Sequence, residues 1–456
     1  MVQNDPQPWN PERSWANPLI AMLVLLILLL IAGQPRFRKA HPALPDAQVT
    51  LEGKFQDAFL GAAKAKELGA LKGLHLPGTS IPALASGGRT GWDQAMLAVH
   101  AAEAGDLDTG GQLIQGAPGP TGELFRQSWN WCYRNAGSPP GLEFQAVGKA
   151  LGHGYAARVL EARLRAKAGG DPKPLEDQAR TWALARILVL GAAGAAATLL
   201  GLAGLAFALY LGLTPARPVA LPHFGLSGRA LLIVMLGWFL ALLASGPLVA
   251  ALVGAAPFLK PFYLPMVYSF HALLGAAYLS RAEGITLGAL WRKVAPGPPG
   301  TALAMGLGFF ALAFAGVVAV SMILSPLLHN GAQPQKELLE LLTHLEGPLA
   351  VILLFITVAV LAPVFEELLF RGFLLSWLSE RLGARIGLQR GRHLAVAITA
   401  VSFAVMHMQP LGLPTLTTLG IVLGFAFLRT GNLTTAILVH GLWNGSVFIL
   451  MRAIAG

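Results

Sequence analysis

Long apolar stretches without Asp, Glu, Lys or Arg recur along the chain, at 14–35, 187–216, 230–259, 261–280, 294–335, 347–365, 394–428 and 430–451. A helix rises about 1.5 Å per residue, so roughly 20 such residues cross the hydrocarbon of a bilayer. The pattern predicts an anchor near 18–33 and spans near 183–213, 229–255, 262–281, 301–325, 347–378, 393–408, 412–428 and 433–452. Between the anchor and the second span, charge returns. There, apolar residues at three-and-four spacing over 48–68, 90–104 and 140–167, separated by Gly-rich breaks, predict amphipathic helices. Asp171-Pro172 is a helix-start signal, and the helix it opens is expected to continue into the span at 183. The expected fold is all-α: a polytopic transmembrane helix bundle with an N-terminal anchor helix and a small helical extramembrane domain. Its divisions are 1–33 (tail and anchor), 34–182 (helical domain), 183–346 (additional spans) and 347–456 (membrane core).

Composition agrees. Of 456 residues, 54% are hydrophobic and 12% charged, about half the charged share of a soluble domain. That excludes a purely cytosolic enzyme. The net charge of +10 is read as basic cytoplasmic loops rather than as nucleic-acid binding. A lone Cys132 excludes an internal disulfide and a cysteine-based metal cluster. The segment ahead of the anchor is not basic and no small-residue cleavage site follows it, which favours an uncleaved anchor. Arg281, Arg292 and Lys293, and Arg381, Arg385, Arg390 and Arg392, mark the 281–300 and 379–392 loops as cytoplasmic. Counting spans back from them places the 34–182 domain outside, against the local hint of Arg36, Arg38 and Lys39. Ala98–Asp108 and Ala162–Asp171 carry similar helix-Gly-Asp strings, which are either helical-hairpin repeats or plain helix-end chemistry. Nothing in that domain indicates its partner.

Ionisable and amide groups within the spans mark candidate chemistry, because they are costly in hydrocarbon. Three places in the last quarter of the chain stand out. Glu367 and Arg371 lie four apart on one helical face and can pair; Glu366, turned by about 100°, has no local cation and suits a general base or acid. Counted from Gly347, Glu366 lies about 29 Å along its helix, so an interfacial cluster is the competing reading. Phe403 and His407 share a face of the next span, where Phe403 can shield and orient the imidazole. His440 and Asn444 share a face of the last one, with Gly441 and Gly445 opening room beside them. Each pair alone also fits structural contacts between helices. A divalent metal held by these groups is considered and not favoured, since the chain has no H-E-x-x-H. Gly225-Leu226-Ser227-Gly228 matches a serine-protease G-x-S-G but precedes its span, and His271 has no carboxylate on its own helix.

E-E-x-x-x-R, F-x-x-x-H and H-x-x-x-N, in that order over about 347–452, resemble the CAAX-protease and bacteriocin-processing family of intramembrane glutamic endopeptidases, which includes the Ras-converting CAAX endopeptidases. The resemblance implies peptide hydrolysis in which Glu366, assisted by His407, activates a water. It implies that His440 and Asn444 stabilise the oxyanion and that Glu367, Arg371 and Phe403 support the site. It implies no cofactor, and as partners the bilayer and a membrane-associated peptide or protein. The Ala/Gly/Pro-rich, cysteine-poor chain points to a multi-pass protein of a bacterial cytoplasmic membrane, and to a leader peptide or small membrane protein rather than a prenylated tail as substrate. From a different class, a membrane scaffold or transporter-like protein, for example in peptide-toxin self-immunity, could use the same polar cluster without catalysis.

Overall fold

The computed structural model describes residues 49, 51–64, 91–137, 144–214, 219–223, 284–324, 347–407, 409 and 412–455, with isolated positions between 235 and 281. The described residues form helices and no strand. The expected anchor at 18–33, the span at 229–255, Ser227 and His271 lie outside them, and the span at 262–281 is described only at scattered positions.

The helices of the segment expected outside the membrane are α1 (Leu51–Ala63), α2 (Gly91–Glu103), α3 (Leu107–Leu113), α4 (Gly119–Trp129), α5 (Phe144–Ala150) and α6 (Tyr155–Lys167). Trp92, Met96, Leu97, Phe125, Trp129 and Leu160 close one apolar core among them. The two similar strings turn out to share turn chemistry. Asp106 N–H donates to Ala101 O at 2.9 Å and Gly170 N–H to Arg165 O at 2.9 Å, each past a glycine with positive φ. These are the six-to-one bonds of a Schellman helix end. Long-range polar contacts tie the helices together. Arg163 on α6 reaches Glu103 on α2 at 2.7 Å, and Tyr133 donates to the same carboxylate at 2.8 Å. Asp57 on α1 accepts from His100 at 2.8 Å and from the first turn of α6, at Ala156 N–H, at 2.9 Å. Burial pushes the Cys132 thiol up to about 12, so it is not a ready nucleophile.

Helix α7 (Lys173–Leu213) starts where Asp171-Pro172 places it, with Asp171 Oδ1 accepting from Lys173 N–H at 3.0 Å. Its 41 residues pass through position 182 without a break and continue into the membrane span, as expected. Then follow α8 (Leu287–Val294), α9 (Pro299–Leu324), α10 (Pro348–Ile386), α11 (Leu388–Met406), α12 (Leu413–Thr430) and α13 (Leu433–Ala455). Among the described residues, α7, α9, α10, α12 and α13 are the five helices long and apolar enough to cross a membrane. The protein is therefore a polytopic helix bundle.

Two boundaries differ from expectation. The span expected over 393–408 starts at Leu388 and carries Arg390, Arg392 and His393 in its first turns, so it falls short of a spanning helix's apolarity. The stretch 379–392, read as a loop, is a helical hairpin. Helix α10 runs on to Ile386, and Gly387, at φ 88°, turns the chain directly into α11. Arginines are good helix formers, so the basic residues there do not end the helix. At about 1.5 Å per residue the 39-residue α10 is roughly 58 Å long, nearly twice the hydrocarbon thickness.

The bundle has two distinct ends. At one, Thr214, Val219, Pro296, Arg392 and Arg429 meet: Arg429 donates to Thr214 O, Arg392 to Val219 O, and Asn432 to Pro296 O. At the other, α1 packs on the start of α7 and against α13, where Lys54 feels Arg186 and Arg452. Helices α1–α6 therefore sit at the end opposite the basic α10–α11 hairpin.

Candidate active site

Helix α10 is not regular. Two π-helical segments, Thr357–Leu361 and Leu368–Leu375, flank a short α-helical piece, Ala362–Glu367, that carries both glutamates. The sequence offers a cause for the first. Pro363 has no N–H, so the carbonyl of Ala359 (in α register) or Val358 (in π register) loses its intrahelical donor. Asn444 on α13 supplies one instead, its Nδ2 donating to Val358 O at 2.9 Å. In hydrocarbon a freed carbonyl must be satisfied from within the protein. Asn444 is thus oriented by α10, with one of its two amide N–H groups used on that carbonyl.

The space expected beside Gly441 is not open. A Cβ at position 441 would lie 2.5 Å from Ala359 O, so Gly441 is where the backbone of α13 closes on the π segment of α10. That approach brings His440 to the glutamates. Its Nδ1 lies 2.8 Å from Glu367 Oε1, which also accepts from Arg371 Nη1 at 2.8 Å. Arg371 continues to Gly420 O on α12 at 3.1 Å, and a Cβ at 420 would press on Ala400 of α11. Glu367 and Arg371 are fully buried and His440 nearly so. The pair expected from the sequence exists, and it extends to His440 and to a backbone carbonyl that no side-chain motif announces.

Glu366 faces elsewhere, as its helical phase requires, toward the two histidines. Its Oε2 is 3.9 Å from Nε2 of His407 and 3.9 Å from Nε2 of His440. Oε2 is buried, and among the described residues it has no hydrogen-bond partner. His407 ends α11, its Nδ1 2.8 Å from Phe403 O. A carbonyl can only accept, so Nδ1 carries the proton and the Nε2 of a neutral His407 is an acceptor. Phe403, fully buried, touches three of these groups. Its ring lies 4.6 Å from the His407 ring, 5.5 Å from the His440 ring and 4.6 Å from the Arg371 guanidinium carbon. Its geometry fixes both imidazoles and places a cation over its face.

All seven residues singled out from the sequence therefore meet in one place. Glu366, His407 and His440 converge directly, Glu367 and Arg371 lie behind His440, Phe403 packs between, and Asn444 is held against α10. Sequence reasoning misses the carbonyls of Val358 and Gly420 and the two π segments; Pro363, three residues before Glu366, is a signal for the first π segment and for Val358 O alone. Among the described residues no three His, Cys, Asp or Glu side chains are grouped as a metal ion requires.

An all-α membrane bundle with a buried carboxylate–imidazole centre is the class that fold and site define. Within it, residues 348–446 match the family model of the type II CAAX prenyl endopeptidases, Rce1-like, the family that the three motifs resemble. All seven site residues fall inside the matched segment, which supports a CAAX-protease-like peptidase in general terms. No curated protein and no solved structure matches the chain.

Proposed function

We propose that this protein is an intramembrane endopeptidase that hydrolyses a peptide bond of a membrane-associated peptide or protein, using a water activated by Glu366 and His407. The observation that supports this most is the convergence of two imidazole Nε2 atoms on one buried carboxylate oxygen, each at 3.9 Å. That spacing is too long for direct bonds and suits an oxygen between the groups. In the reaction, the water oxygen attacks the scissile carbonyl carbon while its proton passes to Glu366, with His407 Nε2 as a second acceptor. The resulting oxyanion is met by His440 and by the remaining N–H of Asn444. Glu366 then returns the proton to the departing amine as the C–N bond breaks.

The role of His440 has a condition attached. With Nδ1–H given to Glu367, Nε2 donates to an oxyanion only when the ring is an imidazolium. Glu367 holds His440 Nδ1 and is itself held by Arg371, so the pair fixes the orientation of the ring. On this reading Glu367 and Arg371 are positioning residues.

The setting proposed is a bacterial cytoplasmic membrane, with the basic α10–α11 end inside and the extramembrane helices outside. The test is peptide release from membranes carrying wild type or Glu366→Gln at equal levels. The proposal expects cleavage to be lost with unchanged insertion and folding. Unchanged cleavage overturns it, and a phenotype rescued by the inactive variant supports a scaffold.

A further inference from the structure

Away from the glutamates, at the basic end of the bundle, α7, α9, α11 and α12 enclose a groove of about 640 Å3. Its floor is apolar, formed by Phe309, Leu312, Val422 and Phe425, and its mouth carries Gln389, Arg392, His393 and Arg429. No carboxylate lines it among the described residues. The mouth also holds the start of α11. The 19-residue helix begins after Gly387 with no side-chain cap, which leaves its first-turn N–H groups without a side-chain partner from the cap. Leu388 and Gln389 of that turn line the groove together with Arg392 and Arg429. Arg392 places one Nη on Val219 O at 2.8 Å, and its buried Nε has no partner among the described residues.

We infer that this groove is a binding site for an anionic glycerophospholipid, its phosphodiester at Arg392, Arg429 and the first turn of α11 and an acyl chain along Phe309, Leu312 and Phe425. Three independent features agree. A helix N-terminus and two guanidiniums favour a phosphate. The charge lies at the membrane-edge end of the helices, where headgroups are. The apolar floor runs inward from that edge: Leu312 is thirteen residues into α9, about 20 Å along it. A basic pocket between spans is the usual form of an anionic lipid site. The proposal does not depend on the catalytic reading, since none of these residues touches Glu366, His407 or His440.

The test uses the full chain purified in a nonionic detergent. It is titrated in parallel with dioleoyl phosphatidylglycerol, dioleoyl phosphatidylcholine and inorganic phosphate, with bound copies counted by native mass spectrometry and stability followed by thermal denaturation. Retention of phosphatidylglycerol over phosphatidylcholine by about tenfold or more is expected, and its loss in Arg392→Gln/Arg429→Gln. Because both arginines also hold backbone carbonyls, Ala208→Trp serves as the second variant. Ala208 is exposed on α7 and lines the groove, so the indole fills the acyl path and leaves the charges in place. It too should abolish retention, and it decides alone if the arginine variant does not fold. Equal retention of the two lipids, or phosphatidylglycerol retention unchanged in Ala208→Trp, overturns the proposal. So does stabilisation by inorganic phosphate equal to that by phosphatidylglycerol.

Discussion

Glu367 and His440, 73 positions apart in the chain, share a 2.8 Å contact inside the bundle, with Arg371 on the same carboxylate oxygen. Breaking this buried network should cost more than replacing it. Glu367→Gln leaves the Arg371 cation uncompensated and is expected to destabilise the protein by about 3–5 kcal/mol, whereas Glu367→Leu/Arg371→Met should recover much of that loss. Neither variant should cleave peptide, because His440 has lost its orienting carboxylate. Thermal denaturation in detergent, read beside a cleavage assay, separates the two effects.

Gly441→Ala tests how closely α13 must approach α10. The added methyl would meet the backbone oxygen of Ala359 at 2.5 Å, and a backbone atom in a packed span cannot step aside. The expected outcome is at least a tenfold loss of cleavage, about 1.4 kcal/mol in the barrier, from displacement of His440 and Asn444. Gly445→Ala is the matched control: its nearest neighbour would be a ring carbon of Phe355 at 3.5 Å, an ordinary contact. It should retain near-normal activity.

In the extramembrane helices, Glu103 titrates under opposing influences. Burial pushes its carboxyl up, and hydrogen bonds from Arg163 and Tyr133 outweigh this, leaving it below its ordinary value of 4.5. A depressed carboxylate stabilises the fold fully above the unfolded value, and that contribution is lost as pH falls through the lowered folded value. Melting temperature should therefore decline below about pH 4.5, and Glu103→Gln should be less stable at neutral pH with a flatter acid limb. Scans of the full chain between pH 3 and 7, on the order of four units, check this. An unchanged acid limb in Glu103→Gln would assign the decline to other groups.

The separation of the two ends predicts the labelling pattern of intact cells. A cysteine at Ala168, exposed in the turn between α6 and α7, should react with a membrane-impermeant maleimide from outside. One at Gln389, beside the basic hairpin, should react only after lysis. Cys132 is replaced by Ser in both. The reverse pattern would place the extramembrane helices inside and invert the proposed topology.

How much of this was legible in the sequence depends on what each feature costs in lipid. Glu366, Glu367, Arg371, His407 and His440 stood out because charged or titratable groups are rare between apolar residues, and all of them meet in the structure. The start of α7 was readable from Asp171-Pro172, a local signal. Less legible was everything set by backbone contacts between helices. Arg371 reaches a carbonyl of Gly420 and Asn444 a carbonyl of Val358, and a carbonyl has no letter in the sequence. Gly441 was read as open space because a missing side chain looks the same whether it leaves a cavity or admits a neighbour. The continuation of α10 to Ile386 is hidden because the arginines there carry a topology signal and a helix-forming propensity at once, and the first predicts a loop.

The central claim is that Glu366 activates water for peptide hydrolysis, and comparative proteomics of membranes carrying wild type or Glu366→Gln tests it most directly. The account predicts at least one new peptide terminus, from a membrane-associated protein or peptide, that is present with wild type and absent with Glu366→Gln at equal protein level. A set of termini identical in the two membranes, with the wild-type protein folded and inserted, would contradict it.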